Sequence, residues 1–389
     1  MAPKKKKKNK SVVEVMKIKF DNDIQKPNTK EDKRNGIIKY GDNNLYPDFL
    51  LNLFIEGSST HSAIINRKIA LISGQGFDKV TSPELITFIK NNRGSNPLGD
   101  IVKLSTADYE VFNAFAIMAR WNDDKTLVAA IDYVPVHKVR KGIEKNTWFT
   151  SDNWKNPSKP ASNTLEHKEF NANPLPTNFD EYTDDEKRME LSQIVYFKRL
   201  SIGSDSYPNV SYSAAIRDIL SDSAISDFTL NQIKTNFLGG YHLHMASGIP
   251  EPEEMKQTKE DFVRQHTGEN AQSVVLTFGN PEDKPATLTP LPSTNNQEAY
   301  LAVGVQVTEK IMIAHSVTDP QLFGIRVPGA LGGRAEQQES LEIFQSAVIR
   351  PIQSDIENVF NRLASVNKAT EDLKLAEYSI IDKEEETTT

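Results

Sequence analysis

The chain has 389 residues, of which 38% are hydrophobic and 25% charged, with a net charge of −7 and no cysteine. This composition is typical of a globular protein with a sizeable core, and it excludes disulfide bonds and thiolate metal ligands. No apolar run approaches the roughly 20 residues that span a bilayer, and the first residues lack the apolar segment of a signal peptide, so we expect no membrane segment.

The first 35 residues are basic and the remainder is acidic. Residues 1–35 contain 12 Lys and Arg against 5 Asp and Glu, whereas residues 36–389 contain 34 against 48. The run Lys4–Lys8 cannot be buried, so we predict a disordered leader that acts as a solubilising tail or as a tether for nucleic acid or an acidic partner. The acidic body disfavours tight DNA binding, because affinity for phosphate comes mainly from Lys and Arg.

Residues 36–205 show the mixed patterns of an α+β domain. Turn signals and a polar, Asn-rich insertion at 145–190 separate the apolar segments, and a short strand is predicted within that insertion. The predicted helices are Asp48–Ile55, a helix capped by Ser59 or Thr60, Pro83–Asn91 and Asp100–Asn113, and the predicted strands are Ala114–Trp121, Thr126–Tyr133, Thr147–Thr150 and Leu191–Leu200.

Two long helical patterns enclose a compact α/β insert. The first, Ser213–Asn236, places Asp218 and Asp222 opposite its apolar stripe, and the second is Asn295–His315. A strand is the competing assignment within the second, because valines alternate at 303, 305 and 307 and Gly304 weakens a helix. The predicted elements of the insert are the strands Tyr241–Met245, Ser273–Phe278 and Ala286–Leu291 and the helix Pro252–His266.

The segment Thr318–Arg334 contains two prolines and four glycines, which predict an ordered loop rather than a helix. The next segment, Ala335–Leu363, has an apolar stripe at helical spacing, with Leu341, Phe344, Val348, Ile352, Ile356, Val359 and Leu363 on one side. Pro351 removes a backbone donor inside it, so we expect a bend there. The charged residues beyond it predict a solvated tail.

No motif in the sequence indicates catalysis, a cofactor or a metal. Gly329–Gly333 precedes a helix but lacks the Lys-Ser/Thr pair of a phosphate-binding loop. His242 and His244 share one side of a strand, yet their spacing matches no specific metal-ligand signature. The acidic clusters Asp184–Glu186 and Glu384–Glu386 have no partner base and are interpreted as solvated.

Several short sequence motifs occur in the same order as in one known family. They are Asn43–Pro47, Ala63–Ile69, Asp108–Phe112, Tyr207–Pro208, Tyr212, Asn236–Gly240, Pro320–Gly324, and the helix with Phe344 and Arg350–Pro351. Together, from about Tyr40 to Leu363, they resemble the portal proteins of tailed double-stranded DNA bacteriophages, specifically the long-tailed, siphovirus-like type.

The resemblance implies an α+β portal fold with a reduced or absent crown. Its parts would be a leader at 1–35, a wing at 36–205, stem helices at 206–237 and 293–316, a clip at 238–292, a channel loop at 317–334, a kinked wing helix at 335–365 and an acidic tail at 366–389. The implied channel-loop residues are Pro320, Gln321, Leu322, Phe323, Gly324, Ile325, Arg326, Pro328 and Arg334; Asp218 and Asp222 would face the channel, and Pro351 would kink the wing helix.

The resemblance also implies a homo-oligomeric ring, typically a dodecamer, at one capsid vertex. Double-stranded DNA would pass through it without sequence specificity during packaging and ejection. The implied partners are the major capsid protein, a terminase that supplies the motive force, and a head–tail connector or adaptor. Such a protein is not an enzyme, contacts no membrane and carries no cofactor. It resides in the virion, and in the host cytoplasm during assembly.

Two other functions fit parts of the sequence. One is a cytoplasmic α/β enzyme whose Gly-rich loop at Gly329–Gly333 closes over an anionic ligand. The other is a DNA-binding adaptor that uses the arm Lys4–Lys8. The first predicts a pocket lined with titratable groups near the loop, and the second predicts salt-dependent duplex binding by the arm.

Overall fold

A computed structural model describes residues 25–234, 241–245, 274–278, 287–290, 297–324 and 334–378. The basic run Lys4–Lys8, the predicted helix Pro252–His266 and the segments 325–333 and 379–389 lie outside the described residues. Within the described ranges, no helix combines the length and the apolar character that crossing a bilayer requires.

An antiparallel three-stranded sheet and five helices form the predicted α+β domain. The strands are β3 (Ala114–Trp121), β4 (Val128–Val134) and β8 (Ser192–Lys198), in the order β4-β3-β8. The helices are α1 (Tyr46–Asn52), α2 (Ser59–Ser73), α3 (Pro83–Lys90), α4 (Leu98–Phe112) and α5 (Asp184–Leu191). Asn113 takes the left-handed conformation, with a φ of 54°, and so ends α4 directly before β3.

Two small sheets flank this domain. One pairs β1 (Thr29–Asp32) with β2 (Ile37–Tyr40), and the other joins β5 (Val139–Lys141), β6 (Thr147–Thr150) and β7 (Leu165–Lys168). Strand β1 lies within residues 1–35, so the expectation of a disordered leader is wrong for this part. The reason is that Lys30 and Glu31 pair with Lys39 and Ile38 across a hairpin that composition alone does not reveal.

Two local signals differ from the predictions. Ser58, rather than Ser59 or Thr60, caps α2, since its hydroxyl accepts a hydrogen bond from the His61 N–H at 3.2 Å. Helix α5 was not predicted, although a capping box of Thr183 and Glu186 opens it. The acidic cluster Asp184–Glu186 therefore forms the first turn of a helix, where negative charge complements the helix dipole.

The two long helical patterns form α6 (Ile216–Lys234) and α7 (Gln297–Ala314), which pack against each other. The competing strand assignment for 303–307 is wrong. Between them, β9 (Tyr241–Met245) pairs in parallel with β10 (Val274–Phe278) and in antiparallel with β11 (Thr287–Pro290), as the sequence predicted for three strands of the insert.

The last long helical pattern is divided into α8 (Arg334–Phe344), a π-helical turn (Gln345–Ile349) and α9 (Arg350–Val366). Pro351 follows the π turn, in which the Arg350 N–H bonds to the Gln345 carbonyl five residues earlier. Ile349 and Phe360 are buried, whereas the predicted Val348 and Val359 are only half-buried. The predicted Ile352, Ile356 and Leu363 are buried.

The chain after α9 packs back on the domain rather than forming the predicted solvated tail. Leu373 and Leu375 are buried, and the Leu375 N–H donates to Glu357 Oε1 at 2.7 Å. Asp78 N–H donates to the Lys374 carbonyl at 2.9 Å. The tail prediction is thus wrong for residues up to Tyr378, because two apolar side chains among the charges are enough to anchor the segment.

Candidate functional site

Two carboxylates of α6 make polar contacts with other elements, one with α7 and one with the residue that caps α2. Lys310 of α7 lies 3.4 Å from the Asp218 carboxylate of α6, and Asp222 accepts a hydrogen bond from the Ser58 hydroxyl at 2.6 Å. Both carboxylates are half-buried. Each carboxylate thus makes a contact within the chain, and the expectation that Asp218 and Asp222 face a channel stays a prediction.

Helices α6 and α7 also carry large apolar side chains that are exposed to solvent in the single chain. The most exposed is Ile313, at 76%, and Val305 follows at 61%. The whole set, hereafter the apolar stem surface, is Phe228, Leu230, Ile233, Val303, Val305 and Ile313. Because single chains seldom expose so many large apolar groups on neighbouring helices, this surface has the character of a protein contact.

The predicted channel loop begins with a buried turn. Residues Pro320–Phe323 form a 3-10 turn that Asp319 caps, and Gly324 ends it with a φ of 76°. Leu322 and Phe323 are buried, with the Phe323 ring edge-on to Phe344 at 5.3 Å between centroids. Leu322 and Phe323 therefore belong to the core and do not project, which corrects the sequence expectation for these two residues.

Two elements clamp this turn from outside, and a third contact supports one of them. Arg67 of α2 donates to the Leu322 carbonyl at 2.9 Å, and its guanidinium lies 5.5 Å from the centre of the Tyr378 ring. Gln337 of α8 donates to the Gln321 side-chain oxygen at 2.6 Å. The end of the described chain thus reaches the start of the loop. Ile325, Arg326 and Pro328 lie outside the described residues, and Arg334 begins α8.

A buried histidine pair joins α7 to the α+β domain. His61 Nδ1 lies 2.9 Å from His315 Nε2, although 254 residues separate the two in the sequence. The Tyr212 ring packs on both imidazoles, with centroid distances of 4.7 and 5.3 Å, and its hydroxyl donates to the Val111 carbonyl. No sequence pattern indicates this pair, because the two histidines are isolated along the chain.

Acidification is expected to weaken this junction. Burial, reinforced by the positive charge of Lys68, lowers the pKa of His61 to about 4 and also lowers the pKa of His315. The unfolded chain takes up these protons near the ordinary value of 6.5, so the stability present above that pH is lost as the pH falls from 6.5 towards 4. At pH 5 the loss should be on the order of 2 kcal/mol for each histidine, or about 4 kcal/mol for the pair.

Thermal unfolding at about pH 7.5 and about pH 5 measures the effect, with His315→Gln as the matched variant. Gln retains a polar group near the position of His315 Nε2 but does not titrate. The wild-type midpoint should fall more on acidification than that of the variant. Burial also lowers the pKa of His167, so only the difference between the two proteins reports on the pair. Equal falls in both proteins would contradict the assignment.

No group of three or more His, Cys, Asp or Glu within the described ranges is arranged to hold a metal ion. Gly329–Gly333 and Lys4–Lys8, on which the enzyme and adaptor alternatives depend, lie outside the described residues. The described residues do provide the apolar stem surface and the anchored turn at Pro320–Phe323.

Two chains in solved structures share the overall architecture of this chain. A chain from the virion of a native gene transfer agent particle is 11% identical, with a TM-score of 0.53 over 85% of this chain and 83% of that one. A chain from the neck of the native particle, computed with C12 symmetry, is 12% identical, with a TM-score of 0.51 over 85% and 83%. This chain has the fold of a gene transfer agent neck protein.

Identities this low establish the fold alone, and the predicted α+β architecture is confirmed. An HK97 family phage portal protein from Corynebacterium diphtheriae is 12% identical over 82% of this chain and 95% of that one, but its TM-score of 0.44 is too low to support an argument. No protein-family model and no curated protein matches the sequence.

Proposed function

We propose that the chain is the portal subunit of a tailed phage or phage-like particle, and that it works as a ring at one capsid vertex. The observation that carries the proposal is the apolar stem surface on α6 and α7. A closed ring needs each subunit to meet two neighbours through unlike surfaces, and exposed apolar side chains on both helices supply such contacts. The shared fold with a neck chain of a C12-symmetric particle supports a dodecamer.

In this proposal, the ring is a passive conduit for double-stranded DNA in packaging and ejection. The acidic balance of residues 36–389 keeps phosphate from binding tightly. The channel loop predicted from the sequence, which includes Arg326 and Pro328, would line the narrowest part of the channel. A terminase docked on the insert supplies the motive force, and the capsid protein and a connector hold the ring in the virion.

Native mass spectrometry and negative-stain images of the purified chain test the proposal. The wild type should form a ring with a central hole, and Val305→Glu with Ile313→Glu should reduce it to small species. Because both residues are exposed in the single chain, the circular dichroism spectrum of the subunit should not change. Gln306→Glu adds one charge at an exposed polar position of the same helix and should keep the ring. A wild-type chain that stays monomeric would refute the proposal.

A further inference from the structure

Strand β4 lies at one edge of the three-stranded sheet. Within the described chain, β4 pairs only with β3, so its other side is a sheet edge. Such an edge presents unpaired N–H and C=O groups and serves as a template for another strand. Ala129 forms a β-bulge without a partner in β3, because Trp121 pairs with Val128 and Arg120 pairs with Ala130. This bulge leaves Val128 and Ile131 directing both of their backbone polar groups outward.

Both outward positions are occupied by asparagine side chains. The Val128 N–H donates to Asn367 Oδ1 at 2.8 Å, and Asn367 Nδ2 donates back to the Val128 carbonyl at 2.9 Å. Asn92 makes the same pair with Ile131, at 2.8 and 2.9 Å. A carboxamide offers one acceptor and one donor side by side, as a peptide group does. Each asparagine therefore takes the place of a residue in a neighbouring strand.

An open cleft lies beside this edge. Its volume is about 540 Å³, and the lining includes Pro83, Phe88, Asn91, Leu127 and Ala130 together with the two asparagines. That volume is within the range of sites that hold a ligand or a few side chains. Space for the side chains of an added strand thus already exists, and no other strand covers the edge in the described chain. The two asparagines satisfy the outward groups of this edge, and Val128 and Ile131 are buried beneath them.

We propose that Asn92 and Asn367 prevent a second copy of this chain from pairing with the edge of β4. The excluded partner is β4 of the other copy, because antiparallel pairing of two identical edges is self-complementary about a twofold axis. The result of such pairing would be a continuous six-stranded sheet. The asparagines come from two distant parts of the chain, after α3 and after α9, so closure also requires the domain to be fully folded. This inference stands whether or not the chain forms a ring.

Cysteine crosslinking tests the inference directly, since the chain has no cysteine of its own. Ala129→Cys places a thiol at the bulge, near the centre of the two outward positions, where a paired copy brings its own thiol within disulfide reach. Adding Asn92→Ala and Asn367→Ala to this protein should raise the yield of covalent dimer about tenfold or more, relative to Ala129→Cys alone. Asn91→Ala, in the same cleft but without a hydrogen bond to β4, should leave the yield unchanged.

The circular dichroism spectrum of the variant with Asn92→Ala and Asn367→Ala reports whether the protein is folded. A folded double variant with no increase in dimer overturns the inference, and so does an equal increase with Asn91→Ala. If the double variant does not fold, Asn367→Ala alone carries the test, because Asn92 still holds Ile131. Its dimer should then appear at higher protein concentration, and its absence there also overturns the inference.

Discussion

Replacing Lys68 by methionine should lower the free energy of unfolding by about 3 to 5 kcal/mol. Lys68 of α2 forms an ion pair with Glu110 of α4, and the two side chains are only 6% and 3% exposed. The second carboxylate oxygen of Glu110 is buried without a hydrogen bond. Removing the lysine would leave this carboxylate in the core with no opposite charge. Chemical denaturation at pH 7, at equal protein concentration, measures the change.

Two controls separate this effect from a general loss of charge. Lys310→Met breaks the pair with Asp218, but Lys310 is 61% exposed, so the cost should be at most about 1 kcal/mol. Lys68→Met with Glu110→Leu removes both buried charges and should recover most of the stability. A loss from Lys68→Met no larger than that from Lys310→Met would show that the buried pair is not important for stability.

Phe344→Ala should lower the free energy of unfolding by about 3 to 5 kcal/mol as well, because removing this fully buried ring leaves a cavity. The ring contacts Phe323 of the 3-10 turn, so the loss should be concentrated at the base of the predicted channel loop. Denaturation gives the free energy, and hydrogen exchange of the amides in 321–324 shows whether the turn opens first.

Ile343→Ala is the matched control for this prediction. Ile343 is the adjacent residue but is 51% exposed, and its truncation should change the free energy of unfolding by no more than about 0.5 kcal/mol. Similar costs at 343 and 344 would mean that the burial of Phe344 does not set the stability of the turn.

The elements that the sequence predicted correctly are those with a strong local pattern. Strands β3 and β6 have the predicted bounds, and the helix beginning at Pro83 ends within one residue of its prediction. Each is delimited by its own turn, cap or proline, so neighbouring residues carry the information. Helix α5 shows the limit of this approach, because a polar helix has no apolar stripe and is visible only from its capping box.

The contacts that define the candidate site join residues far apart in the sequence. Val128 meets Asn367 across 239 positions, and Arg67 meets Leu322 across 255. No periodicity or spacing predicts such pairs, since only tertiary packing brings them together. The contacts of Asp218 and Asp222 show the same limit of sequence patterns. Helical spacing places them on one side, but their contacts with Lys310 and Ser58 depend on the packing of other helices.

The π-helical turn between α8 and α9 has a consequence for packing. One residue more than an α-helix needs corresponds to about 100° of rotation about the axis, so the face of α9 is offset by that angle from the face that a continuous helix would present. Phe344 and Ile349 are therefore both buried although they are five residues apart, whereas regular helical spacing would bury a residue three or four positions after Phe344.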